Sequence, residues 1–240
     1  QANPREAMIG GLDAGDLLVL DLYSEKRPQW GDPDSQWYRA KGFGKHDWLY
    51  CMLLNFGGRV GLHGRMEQLV EGFYKAYSHN AGKTLRGVGT TPEAIENNPV
   101  MFELLYELPW RNERFSTADW LSAYLEARYG KVSPAVLQAW KALARTVYNA
   151  PKNYPGEGPV ESLLCARPGF HLKRSSTWGC ADLYYSADST AKAARLLVSV
   201  ADKYRGVNNF EYDLVDVLRQ SIADRANGLL EQVSDSYDRK

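Results

Sequence analysis

The chain has 240 residues, 44% of them hydrophobic, enough for one large domain or two of ordinary size. Its 29 Lys and Arg cancel its 29 Asp and Glu, which argues against nucleic acid or an anionic membrane surface as main partner, because both select a basic excess. No apolar run reaches the ~18 residues of a membrane span, and Cys51, Cys165 and Cys180 fit neither a disulfide scaffold nor a zinc pattern.

The first residues, Gln1-Ala2-Asn3-Pro4, hold neither an initiator Met nor a signal-peptide core, so the expectation is a piece of something longer. Residues 2–12 read as the end of a helix packed on a sheet. Residues 17–22, Leu-Leu-Val-Leu-Asp-Leu, read as a parallel strand buried on both faces. A long connection, 23–46, follows, rich in turn formers, with one helical turn expected near Ser35. Its Trp30, Trp37 and Tyr38 leave a strand's carboxyl end. They either line a pocket or simply pack the loop down, and packing is the favoured reading.

Residues 47–56 read as a second buried strand, with Cys51 a small buried hydrophobe. Gly57, Gly58, Gly61 and Gly64 form no phosphate-binding motif; they predict a tight strand-to-helix turn. Leu62, Met66, Leu69, Val70, Phe73 and Tyr77 share one helical face. His63 and His79 flank that helix, without the clustered carboxylates a metal site needs. A third strand of small residues, 85–89, leads to Glu93 in a turn. Asn98 and Pro99 then start a largely buried helix ended by Pro109.

Beyond about Arg114 the pattern is all helical. Ser116 caps one helix that Gly130 ends, and Ser133-Pro134 start another carrying Val136 to Tyr148 on one stripe. Residues 150–187 are irregular, and a Cys165–Cys180 bridge is left open. A third helix is predicted from Asp188 to about Tyr204. A fourth spans 210–237, roughly 40 Å long, with Leu214, Leu218, Ile222, Leu229, Val233 and Tyr237 as its apolar stripe.

Strand, helix, strand, helix means a parallel sheet or a (β/α) barrel. Three strands cannot close a barrel. The predicted fold is therefore α/β followed by all-α: the C-terminal portion of a (β/α) barrel in 1–114, then the first part of a helical domain in 115–240. In such sheets chemistry sits at the carboxyl ends of strands. Glu93 stands at one, and 12% aromatic content suits sugar binding. Glycoside hydrolysis usually takes two carboxyl groups. Within the chain Asp21 and Glu25 are the candidates for the second.

Three stretches, Leu17-Leu18-Val19-Leu20-Asp21-Leu22, Trp48 to Gly58 with its Cys-Met-Leu-Leu-Asn-Phe-Gly-Gly run, and Gly87-Val88-Gly89-Thr90-Thr91-Pro92-Glu93, closely resemble glycoside hydrolase family 89, the α-N-acetylglucosaminidases. The resemblance continues through residues 103–110, Trp140, Val147-Tyr148-Asn149 and 212–220, nearly the whole chain.

It implies a retaining enzyme with a small N-terminal domain, a barrel and a helical C-terminal domain. It puts the nucleophile at Glu93 and the acid/base glutamate on an earlier strand, before residue 1. Leu22, Leu53 and Phe56 match positions that contact the sugar. Asp21 and Glu25 are then reduced to supporting roles. The implied partners are a terminal α-linked N-acetylglucosamine of glycans or glycosaminoglycans and the rest of a full-length enzyme, with no metal or cofactor. The implied location is secreted or periplasmic for a bacterial member and lysosomal for an animal one. The sequence departs from the lysosomal pattern at Leu54, where that enzyme has His, and at Ala94, where it has Gly. The rival readings are a non-catalytic carbohydrate-binding module and a helical scaffold piece.

Overall fold

The computed structural model describes residues 4–31, 42–57, 59–79, 83–93 and 97–239. The expectations for Ser35, Trp37, Tyr38, Gly58 and Ala94 lie outside them. The chain divides into two compact units. One holds residues 1–55, 65–95 and 99–115; the other holds 56–64, 96–98 and 116–240.

The first unit is α/β. Helix α1 (Pro4–Gly10) precedes strand β1 (Leu18–Asp21), then come β2 (Asp47–Met52), helix α2 (Met66–Ser78), β3 (Leu85–Thr90) and helix α3 (Pro99–Glu107). The strands run parallel in the order β1-β2-β3. Leu18 pairs with Asp47 and Asp21 with Tyr50, while Met52 pairs with Thr90. Parallel pairing puts all three carboxyl ends on one edge.

The central strand is the buried one. Trp48, Tyr50, Cys51 and Met52 are enclosed, as are Leu69, Val70 and Phe73 of α2 and Met101, Leu104 and Leu105 of α3. Gly89 on β3 explains the small residues there. A Cβ at that position would lie 2.9 Å from the Cys51 sulfur, tighter than any real side-chain contact. The expectation that β1 is buried on both faces is wrong. Leu18 and Leu20 are half exposed in this chain, on a strand at the edge of the three-stranded sheet. Trp30 is packed against Trp48 with ring centroids 6.1 Å apart, so the packing reading holds for it.

The connection after β2 is also longer than the glycines suggested. It runs from residue 53 to 65, since α2 begins at Met66 rather than Leu62. Gly61 is needed for close approach, not for a tight turn: a Cβ there would lie 2.5 Å from Pro159.

The second unit is helical: α4 (Thr117–Tyr129), α5 (Pro134–Arg145), α6 (Ala187–Val198) and α7 (Asn208–Asp238). The predicted caps are present. Ser116 accepts from the Asp119 N–H, Ser133 from the Val136 N–H, and Gly130 closes α4 at φ 79°. The last turn expected of α5 is absent, and Val147 and Tyr148 follow the helix as buried turn residues. The third helix also stops early, at Val198, and a short 3-10 turn covers Ala201–Tyr204. An aromatic core joins the helices: Trp140 stacks on Tyr148, and Tyr204 on Phe210. All three cysteines are free thiols, so no Cys165–Cys180 bridge forms.

The predicted stripe on α7 is only partly inward: Leu214 and Leu218 are half-buried, but its later members are not. Ile222, Leu229, Val233 and Tyr237 are exposed. The buried face carries Phe210, Asp213, Val217, Gln220, Asp224, Asn227 and Ser234. Hydrogen bonding explains this polar face. Asp213 takes both Arg128 Nε and Nη2, at 2.6 and 3.0 Å. Asp224 accepts from Thr190 at 2.7 Å and Gln220 at 2.8 Å. Asn227 accepts from the Leu163 N–H and donates to the Glu161 carbonyl. A polar side chain satisfied in this way is buried at little net cost.

Candidate active site

Glu93 lies three residues beyond the end of β3 and is exposed. Its position is set by the main chain. The Glu93 N–H donates to the Asn55 carbonyl at 3.0 Å, and the Thr91 N–H donates to the Met52 carbonyl at 3.0 Å. Thr91 Oγ1 donates to the Leu22 carbonyl at 3.0 Å. Thr90 Oγ1 and the Tyr106 hydroxyl of α3 are 2.9 Å apart. The three segments that leave β1, β2 and β3 are thus tied to one another.

These bonds bring Leu22, Leu53 and Glu93 into one cluster of segments. Leu22 is half exposed and follows β1 directly. Leu53 is nearly enclosed, with 9% of its surface accessible, so it offers little side-chain area to a ligand. Phe56 belongs to the helical unit. There Arg59 lies over its ring at 5.7 Å from the centroid, a cation–π contact. The Arg59 N–H donates to the Phe56 carbonyl at 3.0 Å. The guanidinium is in turn held by Ser176 Oγ at 2.8 Å and by buried Glu161, 3.6 Å from Nε.

Asp21 and Glu25 are not surface acids. Both are buried, and their oxygens meet backbone amides. Asp21 Oδ2 accepts from the Gln29 N–H at 3.0 Å. Glu25 Oε1 accepts from the Leu53 and Leu54 N–H groups at 3.1 and 2.9 Å. Burial pushes the Glu25 carboxyl up to about 8, against the amide bonds and the Arg65 charge, which lower it. The same burial, reinforced by Asp21 and Glu25, raises the Cys51 thiol to about 11, so Cys51 is no nucleophile at neutral pH. Both carboxyls are thus occupied with backbone amides, as fits the supporting roles that the resemblance implies for them.

Sequence reasoning passed over Asn55, Thr91 and Tyr106. Asn55 and Thr91 act through the main chain or a single hydroxyl, which no spacing rule detects. The one available signal was the pair of threonines, Thr90 and Thr91, at the end of a parallel strand.

The arrangement offers an exposed carboxylate on a braced turn, beside an apolar residue. That constellation suits nucleophilic attack on a sugar and electrostatic support of a positive transition state.

The α-N-acetylglucosaminidase TIM-barrel domain family matches residues 1–112, and the family of the corresponding C-terminal domain matches 120–240. The α-N-acetylglucosaminidase of Homo sapiens is 32% identical over 232 residues, 96% of this chain and 29% of that protein. A family 89 glycoside hydrolase from Clostridium perfringens, solved with 2-acetamido-1,2-dideoxynojirmycin, is 33% identical. It superposes over 100% of this chain and 26% of its own with a TM-score of 0.87. A variant of a family 89 protein from that organism, with two glutamates changed to glutamine, was solved with its substrate GlcNAc-α-1,4-galactose. It matches 92% of this chain and 24% of its own at 33% identity and a TM-score of 0.83. The chain spans about a quarter to three tenths of the length of these relatives.

Proposed function

Since the chain belongs to the α-N-acetylglucosaminidase family, we propose that it supplies the nucleophile half of a longer, retaining glycosidase that removes terminal α-linked N-acetylglucosamine from glycans. The observation that carries this reading is the seat of Glu93: exposed, just past a parallel strand, with its N–H bonded to Asn55.

In this mechanism Glu93 Oε attacks the anomeric carbon as the bond to the leaving oxygen breaks. A second glutamate, on an earlier strand upstream of residue 1, gives its proton to that oxygen. The product of the step is a covalent glycosyl-enzyme. The same second glutamate then takes a proton from water. The water oxygen attacks the anomeric carbon, Glu93 leaves, and the original configuration returns. Retention requires the two carboxyl groups to stand about 5–5.5 Å apart. Support for two glutamates comes from the Clostridium perfringens variant, which holds substrate with two of them replaced. Leu22 offers an apolar wall to the sugar ring, Leu53 mainly fixes its own backbone, and Phe56 is the third proposed sugar contact.

The test is Glu93→Gln in the longer enzyme, assayed on an aryl α-N-acetylglucosaminide. Turnover should fall at least about 10³-fold, with inhibitor binding and folding preserved. Azide added to Glu93→Ala should restore release of the aryl group and yield a glycosyl azide of inverted configuration. Turnover retained in Glu93→Gln overturns the proposal.

A further inference from the structure

We propose that Glu25 is a positioning residue: its buried carboxyl holds the Leu53-Leu54 main chain from below, and through Asn55 this fixes where Glu93 stands. The inference rests on the reading of Glu93 as nucleophile.

The geometry is a short relay inside the α/β unit. Glu25 follows β1 by four residues and is almost fully enclosed. Two successive N–H groups, of Leu53 and Leu54, converge on its Oε1 at 3.1 and 2.9 Å. Successive amides pointing one way form a nest that closes around an oxygen. The nest demands an unusual backbone: Leu54 sits at φ 47°, in the left-handed region that leucine avoids unless its surroundings impose it. Immediately afterwards the Asn55 N–H turns back to the Leu53 carbonyl at 2.6 Å. The direction of the Asn55 carbonyl is thereby set, and that carbonyl receives the Glu93 N–H. Removal of the Glu25 oxygen leaves two buried donors unsatisfied and frees Leu54 to return to an ordinary conformation. Asn55, and Glu93 with it, would then shift. A displacement of about 1 Å is enough to cost on the order of 10²-fold in rate.

The protonation state follows from the same site. Oε2 is buried and has no hydrogen-bond partner among the described residues. Among the described residues, Arg65 beside α2 favours its ionisation, while Asp21 and Glu25 both act on Tyr50 and Cys51. Burial outweighs Arg65 and favours the uncharged carboxyl near neutral pH, and Oε1 is the oxygen that accepts both amides. A glutamine amide reproduces that acceptor; a leucine side chain does not.

The experiment uses the longer enzyme with Glu25→Leu and Glu25→Gln, and Glu93→Gln beside them. Glu25→Leu should lower kcat roughly 10- to 100-fold with KM changed less than about threefold. Glu25→Gln should recover turnover to within about threefold of the parent. It should also erase any inflection near pH 8 in the alkaline limb of the rate profile. Amide hydrogen exchange at Leu53, Leu54 and Glu93 should speed up together in Glu25→Leu and remain slow in Glu25→Gln and Glu93→Gln. This readout separates the two readings. If Glu93→Gln stays active, the nucleophile assignment fails, yet loosened exchange in Glu25→Leu still reports the relay. Parental kcat and exchange in Glu25→Leu overturn the positioning role. If Glu25→Leu does not fold, a tenfold or greater loss in a folded Glu25→Gln overturns it as well.

Discussion

At the strand ends, Asp21 and Glu25 accept from main-chain N–H groups, those of Gln29, Leu53 and Leu54. On α7, Asp213 and Asp224 are met by side chains, those of Arg128, Tyr129, Thr190, Tyr185 and Gln220. The first pair holds loops through their main chain. The second joins helices through Arg128, Tyr129 and Thr190, partners far away in sequence. Buried acids therefore do two kinds of work in one chain. An amide-bound carboxyl shapes backbone for a site. A side-chain-bound carboxyl specifies which helix faces lie against each other.

Mutation should separate the two kinds, and the largest effect belongs to the helical unit. Asp213→Ala leaves the Arg128 guanidinium enclosed without its bidentate partner. Breaking a buried pair in this way should destabilise the helical unit by about 3–5 kcal/mol, read as a lower denaturant midpoint. A loss below about 1 kcal/mol would make the Arg128–Asp213 pair no more than a surface ion pair.

The strand-end acid should instead show itself through pH. The folded Glu25 carboxyl, near 8, lies above its ordinary 4.5. The folded state therefore keeps a proton that the unfolded state releases. Stability falls as pH rises between those two values, with a slope approaching roughly 1.4 kcal/mol per pH unit from this group. Glu25→Gln should remove that slope in denaturant titrations at pH 5, 6 and 7. An unchanged slope would mean that Glu25 is ionised in the fold.

The smallest effect is predicted for the stripe that hydropathy favoured. Ile222→Ser, at an exposed position of α7, should change the stability of this chain by less than about 0.5 kcal/mol. A loss of 2 kcal/mol or more would show that this side is covered and that the two faces of α7 are not so different.

Local chemistry carried much of this into the sequence. The α4 cap at Ser116, its stop at Gly130 and the start of α5 at Ser133-Pro134 each depend on a few neighbouring residues, and each is present. The alternation of apolar strands and helices likewise announced a parallel sheet, and the position of Glu93 past a strand follows from chain order alone. The end of β2 was not legible. Leu53 and Leu54 continue the apolar run, but a carboxyl twenty-eight and twenty-nine residues away takes their amides and bends the backbone. The buried face of α7 was not legible either. Hydropathy scores Asp213, Gln220, Asp224 and Asn227 as solvent-facing, because it counts the cost of desolvating them and omits the partners that offset it.

The sequence by itself determined the class of fold, most helix boundaries and the strand end that carries Glu93, since those rest on short-range sterics, capping and hydrophobic period. Only the tertiary structure decided which acids are exposed and which are buried, and which side of α7 faces inward. Those outcomes depend on hydrogen-bond partners that chain folding brings together from distant positions.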